Sequence, residues 1–131
     1  MFRLLVTASR TWPDRSVLWA RLDWAYVTRC SGEGIPLTLV HGGATGGDRM
    51  AKEWVWARSQ AGWMVLEEEH LADWDRLGRR AGYVRNIHMT RTQIDLCMAF
   101  IHENSRGATH CATVAHAAGI ETLIERWLGS E

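Results

Sequence analysis

No stretch of 18 or more apolar residues occurs in the 131-residue chain, which excludes a membrane-spanning helix signal. The opening Met1-Phe2-Arg3-Leu4-Leu5-Val6 is too short in its apolar part for a secretory leader and reads instead as a buried strand. Net charge is missing too. Fifteen Lys+Arg offset fifteen Asp+Glu, so no global field draws the chain to nucleic acid or to an acidic membrane. Cysteine is scarce: Cys30, Cys97 and Cys111 form an odd set with no CxxC spacing, which excludes a disulfide framework or a zinc site and fits reduced thiols in the cytoplasm. There is no HExxH, and His110 and His116 have the wrong spacing to share a helix face, so no metal is expected and no cofactor is required. Linkers, repeats and low-complexity tracts are absent as well. What remains is 47% apolar and 23% charged, which excludes disorder and predicts one domain over residues 1–131. Fourteen of the basic residues are Arg, and eight Trp point to core or contact roles.

Apolar patterning sets the order of elements. Phe2 to Thr7 is a buried strand; Asp14 is an N-cap for a helix over about 15–30, with Leu18, Leu22, Ala25, Tyr26 and Arg29 at helical spacing. Leu37 to His41 is a second strand running into Gly42-Gly43-Ala44-Thr45-Gly46-Gly47. Asp48 opens a helix with Ala51, Trp54, Val55 and Arg58 inward, stopped by Gly62. Trp63 to Leu66 is a third strand, and 67–81 is irregular, with Glu67-Glu68-Glu69 as a solvated strand end. Gly82 to about Gln93 is a helix with Val84, Ile87 and His88 or Arg91 inward. Ile94 to Ile101 is a fourth strand, Thr109 caps a helix ending at Gly119, Ile120 to Ile124 is a fifth strand and Glu125 to Glu131 a tail. Strand–helix alternation with short connections predicts an α/β fold: a single Rossmann-like domain with a doubly wound parallel sheet of about five strands and helices on both faces.

In such a sheet, ligands sit beyond the carboxyl ends of the strands. The turn after the second strand carries most information. Its glycines let the backbone approach an anion, and the next helix N-terminus presents free N–H groups, so Gly42, Gly43, Ala44, Gly46 and Gly47 form a candidate phosphate cradle. It is not a Walker A loop, since Asp48 stands where the lysine would be, and not a dinucleotide fingerprint, since Ala44 replaces the middle glycine. The same glycines could simply make a tight turn. Ser105 to Thr109 offers a second helix start. Arg10, Arg79, Arg80 and Arg85 are candidate counter-charges, and Trp12 and Trp74 are candidates for stacking on a base, with core packing as their plainer role.

Four motifs in order carry a resemblance: Val6-Thr7-Ala8-Ser9-Arg10-x-Trp12, His41-Gly42-Gly43-Ala44-x-Gly46-x-Asp48, Asp73-Trp74, and Gly78-x-x-Ala81-Gly82-x-x-Arg85-Asn86-x-x-Met89. From residue 3 to about 120 the chain resembles the YspA-type branch of the SLOG superfamily, which takes in LOG phosphoribohydrolases and the DNA-processing protein DprA. The resemblance implies a sensor or ligand-binding module for a nucleotide or nucleotide-derived ligand, of ADP-ribose/NAD-like or nucleoside phosphate type. It implies contacts from Thr7, Ser9, Arg10, Gly42, Gly43, Gly46, Asp48, Trp74, Gly82, Arg85, Asn86, Gly107 and Thr109, and a homo-oligomer, as relatives pair through helices. Two departures stand out. Ala8 takes the place of a glycine. Ser105-Arg106-Gly107-Ala108-Thr109-His110-Cys111-Ala112 lacks the glutamate that LOG hydrolases resemble in Pro-Gly-Gly-x-Gly-Thr-x-x-Glu. An N-glycoside hydrolase therefore needs another carboxylate, Asp48 or an acid from residues 67–75. DprA-like single-stranded DNA binding, through Arg76, Arg79, Arg80, Arg85 and Arg91, is the third reading.

Overall fold

The computed structural model describes residues 1–44 and 46–127. Thr45 of the glycine-rich turn and residues 128–131 of the expected tail lie outside the described residues. Five parallel strands, β1 (Phe2–Ala8), β2 (Leu37–His41), β3 (Val65–Glu69), β4 (Leu96–His102) and β5 (Glu121–Trp127), stand in the order β3-β2-β1-β4-β5. The helices are α1 (Arg15–Arg29), α2 (Gly47–Gln60), α3 (Trp74–Leu77), α4 (Ala81–Thr90) and α5 (Arg106–Ala117). Helices α1 and α2 pack together, as do α4 and α5, so the sheet is covered on both faces in a Rossmann-like arrangement. No helix among the described residues is long and apolar enough to cross a membrane.

Continuous apolar runs make the central strands: Leu4, Leu5 and Val6 of β1 and Leu96, Cys97, Ala99 and Phe100 of β4 are fully buried. Asp14 caps α1 by accepting the Val17 amide at 3.0 Å. Leu18, Leu22, Ala25 and Tyr26 pack inward, while Arg29 is half-buried and reaches Glu121 of β5. On α2, Ala51, Trp54 and Val55 are buried. Arg58 turns partly outward to grip Asp23 through Nε and Nη2 (2.8 and 2.9 Å) and lies over the rings of Trp19 and Trp63.

Several elements depart from the sequence expectation. The third strand lies over Val65–Glu69 instead of 63–66, because each of its glutamates has a partner: Glu67 meets His41, Glu68 meets Arg3 and His70, and Glu69 meets Lys52. Helix α4 presents Ala81, Asn86, Met89 and Thr90 inward; Val84 is exposed. Its phase is set by a polar residue, Asn86, whose amide nitrogen hydrogen-bonds to α5. Helix α2 starts at Gly47 with Gly46 in the cap position, so Asp48 lies buried inside the first turn. Helix α5 starts at Arg106 with Ser105 in the cap position, which puts Thr109 within the helix. Strand β5 continues to Trp127, paired with His102 of β4, where a tail was expected from Glu125.

Candidate functional site

Strand order reverses beside β1: the chain passes from β1 to β2 and β3 on one side, then crosses to β4 on the other. The connections that leave β1 and β4 therefore part toward opposite faces of the sheet, and the crevice between these turns is the place such sheets offer a ligand. A cleft of about 500 Å³ opens there. Its floor is Thr7, Ala8 and Ser9. One wall is the β4–α5 turn from His102 to Ala108, the other is Trp74, Arg79, Gly82, Tyr83, Arg85 and Asn86 around α4, and Asp48 and Ala44 close the base.

Of the residues expected from sequence, Thr7, Ser9, Arg10, Ala44, Asp48, Trp74, Arg79, Gly82, Arg85, Asn86 and Gly107 line this cleft. Gly42, Gly43, Gly46, Gly47, Arg80, Thr109 and Trp12 do not. Trp12 is only 2% exposed, packed edge-on against Phe100 and Trp127, with its indole N–H on the Asp14 carbonyl at 2.7 Å. It is a core residue and offers no face to a base.

The glycines of the β2–α2 turn have internal reasons. A Cβ on Gly46 would sit 2.0 Å from the Arg10 carbonyl oxygen, and one on Gly47 would sit 2.1 Å from Ala8 Cβ, so this turn packs directly on the turn after β1. A Cβ on Gly42 would meet the Arg85 guanidinium at 2.4 Å. Three of the turn's amides are engaged as well. The Gly43 amide donates to His41 Nδ1 (2.9 Å), the Ala44 amide to Asp48 Oδ2 (3.2 Å) and the Gly47 amide to the Ser9 carbonyl (3.3 Å). Accepting at Nδ1 leaves the His41 proton on Nε2, which donates to Glu67 at 2.5 Å.

Helix α5 differs. The Ser105 hydroxyl makes no capping bond. The first-turn amides of Arg106, Gly107 and Ala108 have no intrahelical acceptor by geometry, and these residues line the cleft. A Cβ on Gly107 would meet nothing within 4 Å. The helix start at the cleft is thus an open, positively polarised corner.

Side chains around it divide into clamps and free groups. Ser9 is a clamp: its Oγ accepts the His102 amide (2.8 Å) and donates to the His102 carbonyl (3.3 Å), locking β1 to β4. Asn86 is another, with Nδ2 on the Gly107 carbonyl and His110 Nδ1 (both 3.2 Å), fixing α4 to the start of α5. Arg85 reaches the Gly42 carbonyl through Nη1 (2.6 Å) and Asn86 Oδ1 through Nε (2.9 Å). By contrast, Arg10, Arg79 and Arg106 line the cleft with exposed side chains and no carboxylate within ion-pair distance among the described residues.

Asp48 is 4% exposed, and its Oδ1 has no hydrogen-bond partner among the described residues. Burial pushes its carboxyl up to about 6, opposed by His41, the Ala44 amide and Arg85. Sequence reasoning missed Thr11, Tyr83, His102, Glu103 and Asn104 as lining residues, while Ser105 and Arg106 belong to the second helix start that the sequence does offer. The signal for His102, Glu103 and Asn104 was the end of β4, since the helix after it begins at Arg106, four residues before the start that a Thr109 cap implies. Thr11 Oγ1 lies 2.8 Å from His102 Nδ1, and Glu103 has a left-handed backbone (φ 57°) at the cleft wall.

Fold and site together define a Rossmann-like α/β domain with a cationic, aromatic-flanked cleft at its topological switch point. The chain belongs to the YspA, cpYpsA-related SLOG family, whose profile matches residues 2–77. It is also similar to the "Gene 61 protein" of Mycobacterium phage D29, 43% identical over 123 residues that cover 94% of this chain and 95% of that relative. No solved structure matches it significantly. The profile match takes in β1 to α3; the α4 and α5 walls of the cleft lie beyond it.

Proposed function

We propose that this chain is a nucleotide-binding sensor module, which holds an ADP-ribose/NAD-like or nucleoside phosphate ligand in the β1–β4 cleft. Family membership supports a nucleotide-related binding role. The observation that carries the reading is the set of arginines without an ion-pair partner among the described residues, Arg10, Arg79 and Arg106, gathered with the open start of α5 in a protein of zero net charge. Phosphate belongs at the α5 corner in this reading, since the Gly43, Ala44 and Gly47 amides are engaged within the chain. The glycine turn contributes close packing, and Arg85 and Asn86 order the walls. Trp74 and Tyr83, 51% and 39% exposed, supply faces for a base. No cofactor is required. The thiols of Cys30, Cys97 and Cys111 are free and buried, which supports a cytoplasmic location, and self-association into a homo-oligomer completes the proposal.

A second reading, N-glycoside hydrolysis, is favoured by one observation: Glu103 and Asp48 both border the cleft, and either carboxyl could face a developing oxocarbenium ion. Incubation with AMP or NAD and chromatography for free base tests it.

The binding reading is tested by tryptophan-monitored thermal unfolding with ADP-ribose, NAD, AMP and single-stranded DNA. A ligand at 100 times its Kd stabilises by about 2.7 kcal/mol. Arg10→Ala and Arg106→Ala should abolish the shift while leaving the unliganded midpoint within a few degrees. Absence of any nucleotide shift, or an equal shift in both variants, overturns the reading; a shift with DNA alone moves it to nucleic acid.

A further inference from the structure

We propose that the cleft selects ribonucleotides over their deoxy counterparts, and that Asp48 makes the selection by accepting a hydroxyl of the nucleoside ribose at Oδ1. The inference rests on the nucleotide-binding reading above and narrows its substrate class.

The starting point is an unmet hydrogen bond. Asp48 stands in the first turn of α2 and is buried. Its Oδ2 accepts the Ala44 amide at 3.2 Å, and its Oδ1 has no partner among the described residues. Folded proteins leave few buried polar atoms unpaired, and charged ones are the costliest to leave so. The two neighbours whose charge steadies Asp48, His41 and Arg85, are committed elsewhere. His41 accepts the Gly43 amide at Nδ1 and meets Glu67 through Nε2. Arg85 directs Nε to Asn86 Oδ1 and Nη1 to the Gly42 carbonyl. What remains is the cleft, since Asp48 forms part of its base.

Charge decides what can approach. Burial pushes the carboxyl up to about 6, so at neutral pH most of the population is ionised and only accepts. A phosphate is itself an anionic acceptor and is turned away toward the arginines, whereas a neutral donor fits. Position decides which donor. Trp74 and Tyr83, the faces for a base, stand on the α4 wall, and the open start of α5, the place for phosphate, forms the other wall. In a nucleotide the group that joins base to phosphate is the ribose. It therefore lies over the floor of the cleft, where Asp48 waits at the base.

Titration calorimetry at neutral pH compares AMP with 2′,3′-dideoxy-AMP, and ADP-ribose with its analogue lacking both adenosine ribose hydroxyls. The wild type should bind each dideoxy ligand about 10- to 100-fold more weakly than its parent, the worth of a hydrogen bond to a charged group. Asp48→Ala should bind parent and dideoxy ligand alike. Should that variant fail to fold, Asp48→Asn keeps the shape: its carbonyl takes the Ala44 amide, its NH2 replaces an acceptor with a donor, and the preference should collapse to a few-fold. A wild type that binds parent and dideoxy ligand equally overturns the inference and leaves nucleotide binding standing, as does a full ribose preference that survives in the Asp48 variants. Weakened binding of inosine monophosphate, with none of the dideoxy loss, would assign Oδ1 to the base amino group and overturn it too. A wild type that binds neither parent ligand overturns the nucleotide reading itself.

Discussion

Gly46→Ala isolates the contact that shapes the cleft floor. Gly46 has φ 73° and ψ −119°, a conformation that L residues avoid, and its absent Cβ would lie 2.0 Å from the Arg10 carbonyl oxygen. Backbone strain of this kind costs about 1–3 kcal/mol, and forcing a methyl group into packed backbone costs a further ~1–3 kcal/mol. The expected loss is therefore about 4 kcal/mol. At about 2.1 cal/mol/K per residue of unfolding entropy, a 131-residue chain loses about 14 °C in midpoint. Gly62 is the control: its φ is 91°, but a Cβ there meets nothing within 4 Å. Gly62→Ala should lose about 1 kcal/mol, or ~4 °C. Calorimetry on both variants reads the difference. Equal losses would mean that the turn after β2 does not pack on the turn after β1, and the account of the glycines would fail.

Other predictions address the site and the core. The Asp48 carboxyl is raised in the folded chain to about 6 from 3.8, so its contribution to stability is full below pH 3.8 and is lost as pH rises through 6. Relative to Asp48→Asn, urea unfolding of the wild type should lose about 3 kcal/mol between pH 4 and 7, and parallel pH profiles would refute the burial argument. Trp12→Ala should cost about 3–5 kcal/mol without changing the intrinsic affinity of any variant population that remains folded. Trp74→Ala should change stability little and weaken nucleotide binding by about 1–3 kcal/mol. The reverse pattern in titration calorimetry would return Trp12 to the site. Ser9→Ala removes both bonds to His102 and should cost about 1–3 kcal/mol in urea unfolding, whereas a neutral result would mean that Ser9 does not clamp the strands.

Central strands were legible because they are buried on both faces; Leu4–Val6 and Leu96–Phe100 write that as unbroken apolar runs, and Leu37–Val40 as a run interrupted only by the buried Thr38. The edges were not. Glu67, Glu68 and Glu69 look like a solvated end until His41, Arg3 and Lys52 are seen to receive them, and these partners come from other elements. Helix α4 was misphased for a related reason: Asn86 points inward because α5 offers it acceptors, and Val84 is left outside. The location of the cleft followed from topology. The division of labour inside it did not, because composition cannot tell a free amide from one already bonded to Asp48, His41 or Ser9.

The proposed binding of an anionic nucleotide in the β1–β4 cleft puts its phosphate at the start of α5. The most direct test is a titration of the ¹⁵N-labelled chain with ADP-ribose, followed by amide chemical shifts. The largest changes should fall on Arg106, Gly107 and Ala108, with Trp74 and Tyr83 responding to the base. Changes concentrated on Gly42, Gly43, Gly46 and Gly47 with α5 silent would contradict it, as would no change at saturating ligand.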